Sequence, residues 1–197
     1  MDKIDKYINA NINNGKLGKC ASDCGVICEC GDKCVASEAD VRFMEMAIKE
    51  AEKAMAGGDV PIGCVIVDDV TGGVVAKAFN KKELSLDATA HAEMLCIRNA
   101  CKVKGDWRLE NCSLYVTLEP CPMCFGAILS ARIGRVVFGA RDLNAGLLGG
   151  FCDYSKHNML NHSVEVVADV LGDECQLILR DFFKRRRMEN KAKKLNK

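Results

Sequence analysis

Several absences narrow the class of this chain. No stretch approaches the roughly 18 consecutive apolar residues that a membrane-spanning helix requires. The opening Met1-Asp-Lys-Ile-Asp-Lys-Tyr7 lacks the apolar core of a secretory signal. A cytoplasmic protein with mostly reduced thiols is the expectation. There is no internal repeat, which argues against a solenoid or an array. Histidine is scarce, with three residues in 197, so few positions can supply an imidazole ligand.

What remains is ordinary for a soluble globular protein, with 49% apolar and 28% charged residues. The length suits one domain with a sizeable core. Cysteine is abundant, with 13 residues. In a reducing compartment, thiols at ligand spacings read as metal sites rather than disulfides. Cys64, Cys96, Cys112, Cys152 and Cys175 lie in apolar or loop contexts and read as small core side chains. The net charge of +1 conceals an asymmetry. Between Arg180 and Lys197 stand nine basic and two acidic residues, on an otherwise mildly acidic chain. That suits an anionic partner, although a solvated helix end has the same composition.

Residues 1–40 are rich in Asn, Lys, Asp, Gly and Cys, and read as a partly disordered extension. Cys20, Cys24, Cys28, Cys30 and Cys34 fall within it. They lack the x2 spacing of zinc knuckles, so a second metal site and incidental thiols both stay open. The ordered domain is expected over 41–190, with a basic tail at 191–197. Phe43, Met44, Ala47, Ile48, Ala51, Ala54 and Met55 recur at helical spacing, and Gly57-Gly58 ends that helix. Residues 61–67 read as a buried strand and 74–80 as its hairpin partner, with a polar loop at 81–88. A helix at 90–102, a strand at 114–118, a helix at 122–131 and a strand at 135–139 follow. A glycine-rich loop spans 143–150, a fifth strand lies within 164–170, and a long helix runs from 173 into the basic end. The strand–helix–strand unit favours a parallel pair with a right-handed crossover. The predicted architecture is a three-layer α/β/α sandwich around a mixed five-stranded sheet.

Two segments carry the chemistry: Thr89-Ala-His91-Ala-Glu93 at a helix entry, and Glu119-Pro-Cys121-Pro-Met-Cys124 between a strand and a helix. The spacing of Cys121 and Cys124 puts both sulfurs on one face of the first helical turn. The helix N-terminus there favours thiolate over thiol. One His and two Cys leave a fourth zinc position for water, as in a catalytic rather than a structural site. The ion would lower the pKa of that water toward about 7, and Glu93 is the candidate to move protons. Residues two apart on a regular helix point roughly 200° apart. His91 must therefore precede the helix proper if it is to face the same ion as Glu93. A redox role for Cys121 and Cys124 would leave His91 and Glu93 idle.

The combination His-x-Glu … Pro-Cys-x2-Cys is the signature of zinc nucleobase deaminases. At these residues the chain resembles the cytidine deaminase superfamily, and within it the bacterial tRNA-specific adenosine deaminases. The resemblance extends through Asp59-Val-Pro-Ile-Gly63, Asp87-Ala-Thr-Ala-His-Ala-Glu93, Trp107-Arg-Leu, 114–121, 130–142, Asp173-Glu-Cys175 and Phe182-Phe-Lys-Arg-Arg-Arg187. It implies an α/β/α fold and a homodimer holding one zinc ion per subunit. The implied reaction converts the wobble adenosine of a tRNA anticodon, typically of an arginine tRNA, to inosine. It also implies that Asn80 hydrogen-bonds the flipped base, and that Ile62 and Phe183 wall its pocket. The backbone carbonyl of Glu119 would meet the exocyclic nitrogen. Arg141 and Asp142 would face the anticodon backbone, with Lys184, Arg186 and Arg187 on phosphates. The chain departs from the family in its extension 1–40 and in Ala88, where relatives often carry Pro. The rival readings are a deaminase of free guanine, cytosine or cytidine, and a non-catalytic tRNA-binding subunit. The basic end helix argues against the first rival and Glu93 against the second.

Overall fold

The computed structural model describes residues 36–155 and 161–195. The five thiols between Cys20 and Cys34, and most of the expected extension, lie outside the described residues. Helix α1, Glu38–Ala56, starts at a reciprocal cap. The Asp40 N–H donates to the Ser37 hydroxyl at 3.2 Å, and the Ser37 N–H donates to the Asp40 carboxylate at 2.8 Å. Its buried face is formed by Phe43, Met44, Ala47, Ala51 and Ala54, the stripe expected from their spacing. Gly57 follows as the C-cap.

Strand β1, Gly63–Asp68, and strand β2, Val74–Phe79, form the expected antiparallel hairpin. The Asp68 carboxylate shapes its turn by accepting the N–H groups of Val70 and Thr71. On its other side β1 pairs antiparallel with β3, Cys112–Leu118. β3 pairs parallel with β4, Arg135–Ala140, and β4 parallel with β5, Glu165–Val167. The sheet order is β2-β1-β3-β4-β5, the mixed five-stranded sheet that the sequence predicts. β5 is shorter than the segment expected for it.

Between β2 and β3 lie a four-residue helix, α2 (Lys82–Ser85), and α3 (Ala92–Lys104). The sequence predicts only a polar loop where α2 forms. Helix α4, Pro122–Ser130, makes the crossover from β3 to β4, and α5, Gly172–Leu195, ends the described chain. Two apolar clusters cover the two sheet faces. One joins Ala92, Cys96, Ile97 and Ala100 of α3 and Phe125 and Ile128 of α4 to Ile66, Leu114 and Phe138. The other joins Phe43, Met44 and Ala47 of α1 and Cys175 of α5 to Val65, Tyr115 and Val137. That division makes the three layers. At Gly63 the layers meet so closely that a Cβ would overlap the Ala47 carbonyl oxygen. Among the described residues no helix is long and apolar enough to cross a membrane.

Candidate metal centre and active site

Two helix N-termini build the site. His91 is the N-cap of α3, with φ −70° and ψ 152°, and Cys121 is the N-cap of α4, with φ −74° and ψ 171°. Both are extended, so their side chains are not bound to the helical direction. This answers the 200° problem: His91 stands before the first turn and Glu93 within it. Neither cap residue bonds its own helix through its side chain, which leaves imidazole and thiol for another partner. Pro122 at the first helical position of α4 fixes the turn after Cys121. The approach to His91 is held by Asp87, whose carboxylate accepts the Thr89 N–H and hydroxyl at 2.7 Å each. Cys121 follows the C-terminal end of β3, the end at which open α/β sheets gather ligands.

His91 Nδ1 lies 3.5 Å from Cys124 Sγ and 3.7 Å from Cys121 Sγ. All three candidate ligand atoms fall within 4.8 Å of one another. Tetrahedral bonds of about 2.0 Å to nitrogen and about 2.3 Å to sulfur separate those atoms by about 3.6 Å. The two nitrogen–sulfur distances therefore match those around a zinc ion, and a donor set of two thiols and one imidazole suits a borderline-soft metal. The two thiols are unlike. Contact with Cys124 pulls Cys121 down to about 4 against the effect of burial, while the same contact and burial push Cys124 far above an ordinary thiol. A bound divalent ion would hold both sulfurs as thiolates. The Cys121 sulfur also raises His91 above an ordinary histidine.

Glu93 is buried beside these groups, 4% exposed. Burial pushes its carboxyl up to about 6. Its Oε2 is buried without a hydrogen-bond partner in the structure. Buried carboxylates ordinarily find donors for both oxygens, so this oxygen keeps its capacity to accept a hydrogen bond. A carboxyl that titrates near neutrality suits proton transfer.

Asn80 follows β2. Its amide N–H donates to the Val60 carbonyl at 3.2 Å and to the Asp59 carboxylate at 3.5 Å, while its Oδ1 is buried and unpartnered. The next residue, Lys81, donates its N–H to the Ala90 carbonyl at 3.0 Å, which draws Asn80 toward the segment bearing His91. Ile62 is half-buried and packs on the apolar cluster of α3 and α4. Phe183 is half-buried and meets the buried Phe182 edge-on, at 5.4 Å between ring centroids. Arg141 is engaged within the chain, its guanidinium donating to Asp169 at 3.0 and 2.9 Å. Asp142 accepts the N–H groups of Asn144 and Ala145. Lys184 and Arg186 are exposed and Arg187 is half-buried, its Nη1 without a hydrogen-bond partner. Cys64, Cys96, Cys112 and Cys175 are core thiols as expected, and Cys152 is half-buried.

Two carboxylates have side-chain roles that sequence reasoning misses. Asp59, 1% exposed, accepts the N–H groups of Glu83 and Leu84 at 2.8 and 3.0 Å and so supports the start of α2. Glu119, singled out only for its carbonyl, buries its side chain against the loop after β4. The one signal for either was an acid directly preceding an apolar or catalytic motif.

The comparisons with known proteins agree with this geometry. The cytidine and deoxycytidylate deaminase zinc-binding region matches residues 37–140. The tRNA-specific adenosine deaminase of Bacillus subtilis strain 168 is 47% identical over 157 residues, covering 80% of this chain and 96% of that protein. A solved chain from a study of A-to-I editing by tRNA:A34 deaminases at the wobble position is 40% identical, with TM-score 0.65, covering 70% of this chain and 99% of its own. The guanine deaminase of Nitrosomonas europaea also has TM-score 0.65, over 76% of this chain and 86% of that one, at 20% identity; it speaks to the fold alone. The paired helix entries, the ligand triad and this identity across nearly whole relatives place the chain in the cytidine and deoxycytidylate deaminase family, within the branch of the tRNA-specific adenosine deaminases.

Proposed function

We propose that this chain deaminates the wobble adenosine of a tRNA anticodon to inosine. The observation that carries the reading is the His91–Cys121–Cys124 triad, with its nitrogen–sulfur distances of 3.5 and 3.7 Å, beside the buried carboxyl of Glu93. His91, Cys121 and Cys124 would hold one zinc ion per subunit, which would supply the Lewis acidity that makes water a nucleophile near neutral pH. Glu93 takes a proton from the attacking water and gives it to the adenine ring. With the water oxygen now bonded to C6, Glu93 takes the proton of that hydroxyl and delivers it to the amino group as the C6–N bond breaks, leaving inosine and ammonia. The base enters by flipping from the anticodon loop, at low cost because it is already unpaired.

Asn80 meets the flipped base, and its unpartnered Oδ1 suits a donor on the nucleotide. Ile62 and Phe183 wall the pocket, and the Glu119 carbonyl faces the exocyclic nitrogen. Arg141 and Asp142 face the anticodon backbone, while Lys184, Arg186 and Arg187 contact phosphates. The enzyme works as a cytoplasmic homodimer, with an arginine tRNA as the expected substrate.

Purified protein supplied with zinc is to be incubated with an anticodon stem-loop and, separately, with guanine, cytosine and cytidine, while inosine and ammonia are measured. Inosine at the wobble position is expected. Ammonia from a free base, with no inosine in the RNA, would replace this reading with a small-molecule deaminase.

A further inference from the structure

Glu119 stands two residues before Cys121 and is 2% exposed. Its carboxylate accepts three backbone N–H groups: Leu148 at 2.7 Å, Gly150 at 2.9 Å and Asp142 at 3.0 Å. All three belong to the loop that follows β4. The Leu147 N–H adds a bond to the carbonyl of Pro120 at 3.3 Å, on the segment between Glu119 and Cys121. The Gly146 N–H closes the loop on the Asp142 carbonyl at 2.9 Å.

The glycines of this loop are explained by the same carboxylate. A Cβ on Gly146 or Gly150 would overlap the Glu119 carboxyl group. Neither glycine has a positive φ, so the need is for space and not for backbone freedom. A buried carboxylate is costly unless donors surround it. Here the donors all come from one loop, and the acceptor comes from the turn that carries a metal ligand. The loop begins at Asp142, next to Arg141.

We infer that Glu119 is a positioning residue: its side chain fixes the 142–150 loop against the Cys121 turn, and so sets the RNA-facing surface of that loop in register with the metal centre. The inference rests on the tRNA-deaminase reading given above. Glu119 does not touch the reacting atoms through its side chain; it acts through the loop. Disturbing it therefore weakens RNA engagement more than the chemical step.

Glu119→Gln places an amide nitrogen, a donor, against backbone donors. Gly146→Ala leaves the carboxylate intact and pushes the loop away, which gives a second route if the first variant folds poorly. Steady-state inosine formation on an anticodon stem-loop, zinc content and amide hydrogen exchange are to be measured on both. The expected result is a KM raised roughly tenfold, a smaller change in kcat, retained zinc, and faster exchange at Leu148 and Gly150. In a Glu119→Ala background, Gly146→Ala should add nothing further, because the group it collides with is gone. A KM equal to wild type despite faster exchange overturns the inference. So does a loss of zinc with a matching fall in kcat, which would make Glu119 a scaffold for Cys121. Failure of the wild-type protein to form inosine on the stem-loop would instead overturn the underlying reading, and this one with it.

Discussion

Glu93 has one oxygen without a donor in a place where donors cost little, since it occupies the first turn of α3. That combination supports the proton-carrying role proposed for it. Glu93→Ala should keep the zinc content of the wild type while inosine formation falls by about 10²–10⁴-fold, the usual weight of a positioned proton carrier. Metal analysis alongside the rate assay checks both halves; turnover retained by this variant would assign the proton transfers elsewhere. The His91, Cys121 and Cys124 cluster was legible because its chemistry lies in spacing: His-x-Glu and Pro-Cys-x2-Cys are local patterns. Asp59 and Glu119 were not, because their side-chain partners lie 24 and 31 residues away at Glu83 and Gly150. Nothing in the flanking sequence of an acid tells which distant N–H groups it will meet.

Between elements, an ion pair adds to the apolar contacts that tie α1 to the sheet. Arg135 on β4 donates to the two oxygens of Asp40 at 2.7 and 3.0 Å, and the Tyr115 hydroxyl donates to the same carboxylate at 3.0 Å. Burial alone would raise the Asp40 carboxyl, but Arg135 and the Ser37 donors hold it well below the usual carboxylate range. A carboxyl depressed in the folded state adds stability above its unfolded pKa, and loses it only as pH falls through the lower folded value. Asp40→Asn should therefore cost about 3 kcal/mol at neutral pH. Denaturation midpoints should show that gap constant down to about pH 4 and closing in stronger acid, where the wild-type carboxyl is also uncharged. The same cap explains why α1 begins ahead of its apolar stripe: Ser37 and Asp40 are polar and contribute nothing to the periodicity that marked Phe43 onward. α2 escaped the reading for a related reason. Four residues with no buried side chain carry no period, and their N–H groups are met by Asp59 from another part of the chain. The strands were readable because the central ones are buried on both faces and largely apolar, as β1 and β3 are.

At the scale of the molecule, the candidate metal ligands come from two separate segments and link the entries of α3 and α4. Removing the ion should undo that link, and so loosen both helices. Chelation is expected to lower the melting temperature by on the order of 10 °C for a tightly held ion. Calorimetry with and without chelator would show the shift, and added zinc should reverse it. The charge at the end of α5 belongs to the same scale. Replacing Lys184, Arg186 and Arg187 together by Ala should weaken stem-loop binding and flatten its dependence on log salt by about 2 to 3. Fluorescence anisotropy over a salt series would read that slope, and an unchanged slope would take these residues off the phosphates.

The last fully enclosed side chain of α5 is that of Phe182, yet the helix continues to Leu195. Thirteen further residues at 1.5 Å each carry the backbone about 20 Å past that anchor. The exposed cations beyond Phe183 would let such an outrigger meet a polyanion at a span no single side chain could bridge.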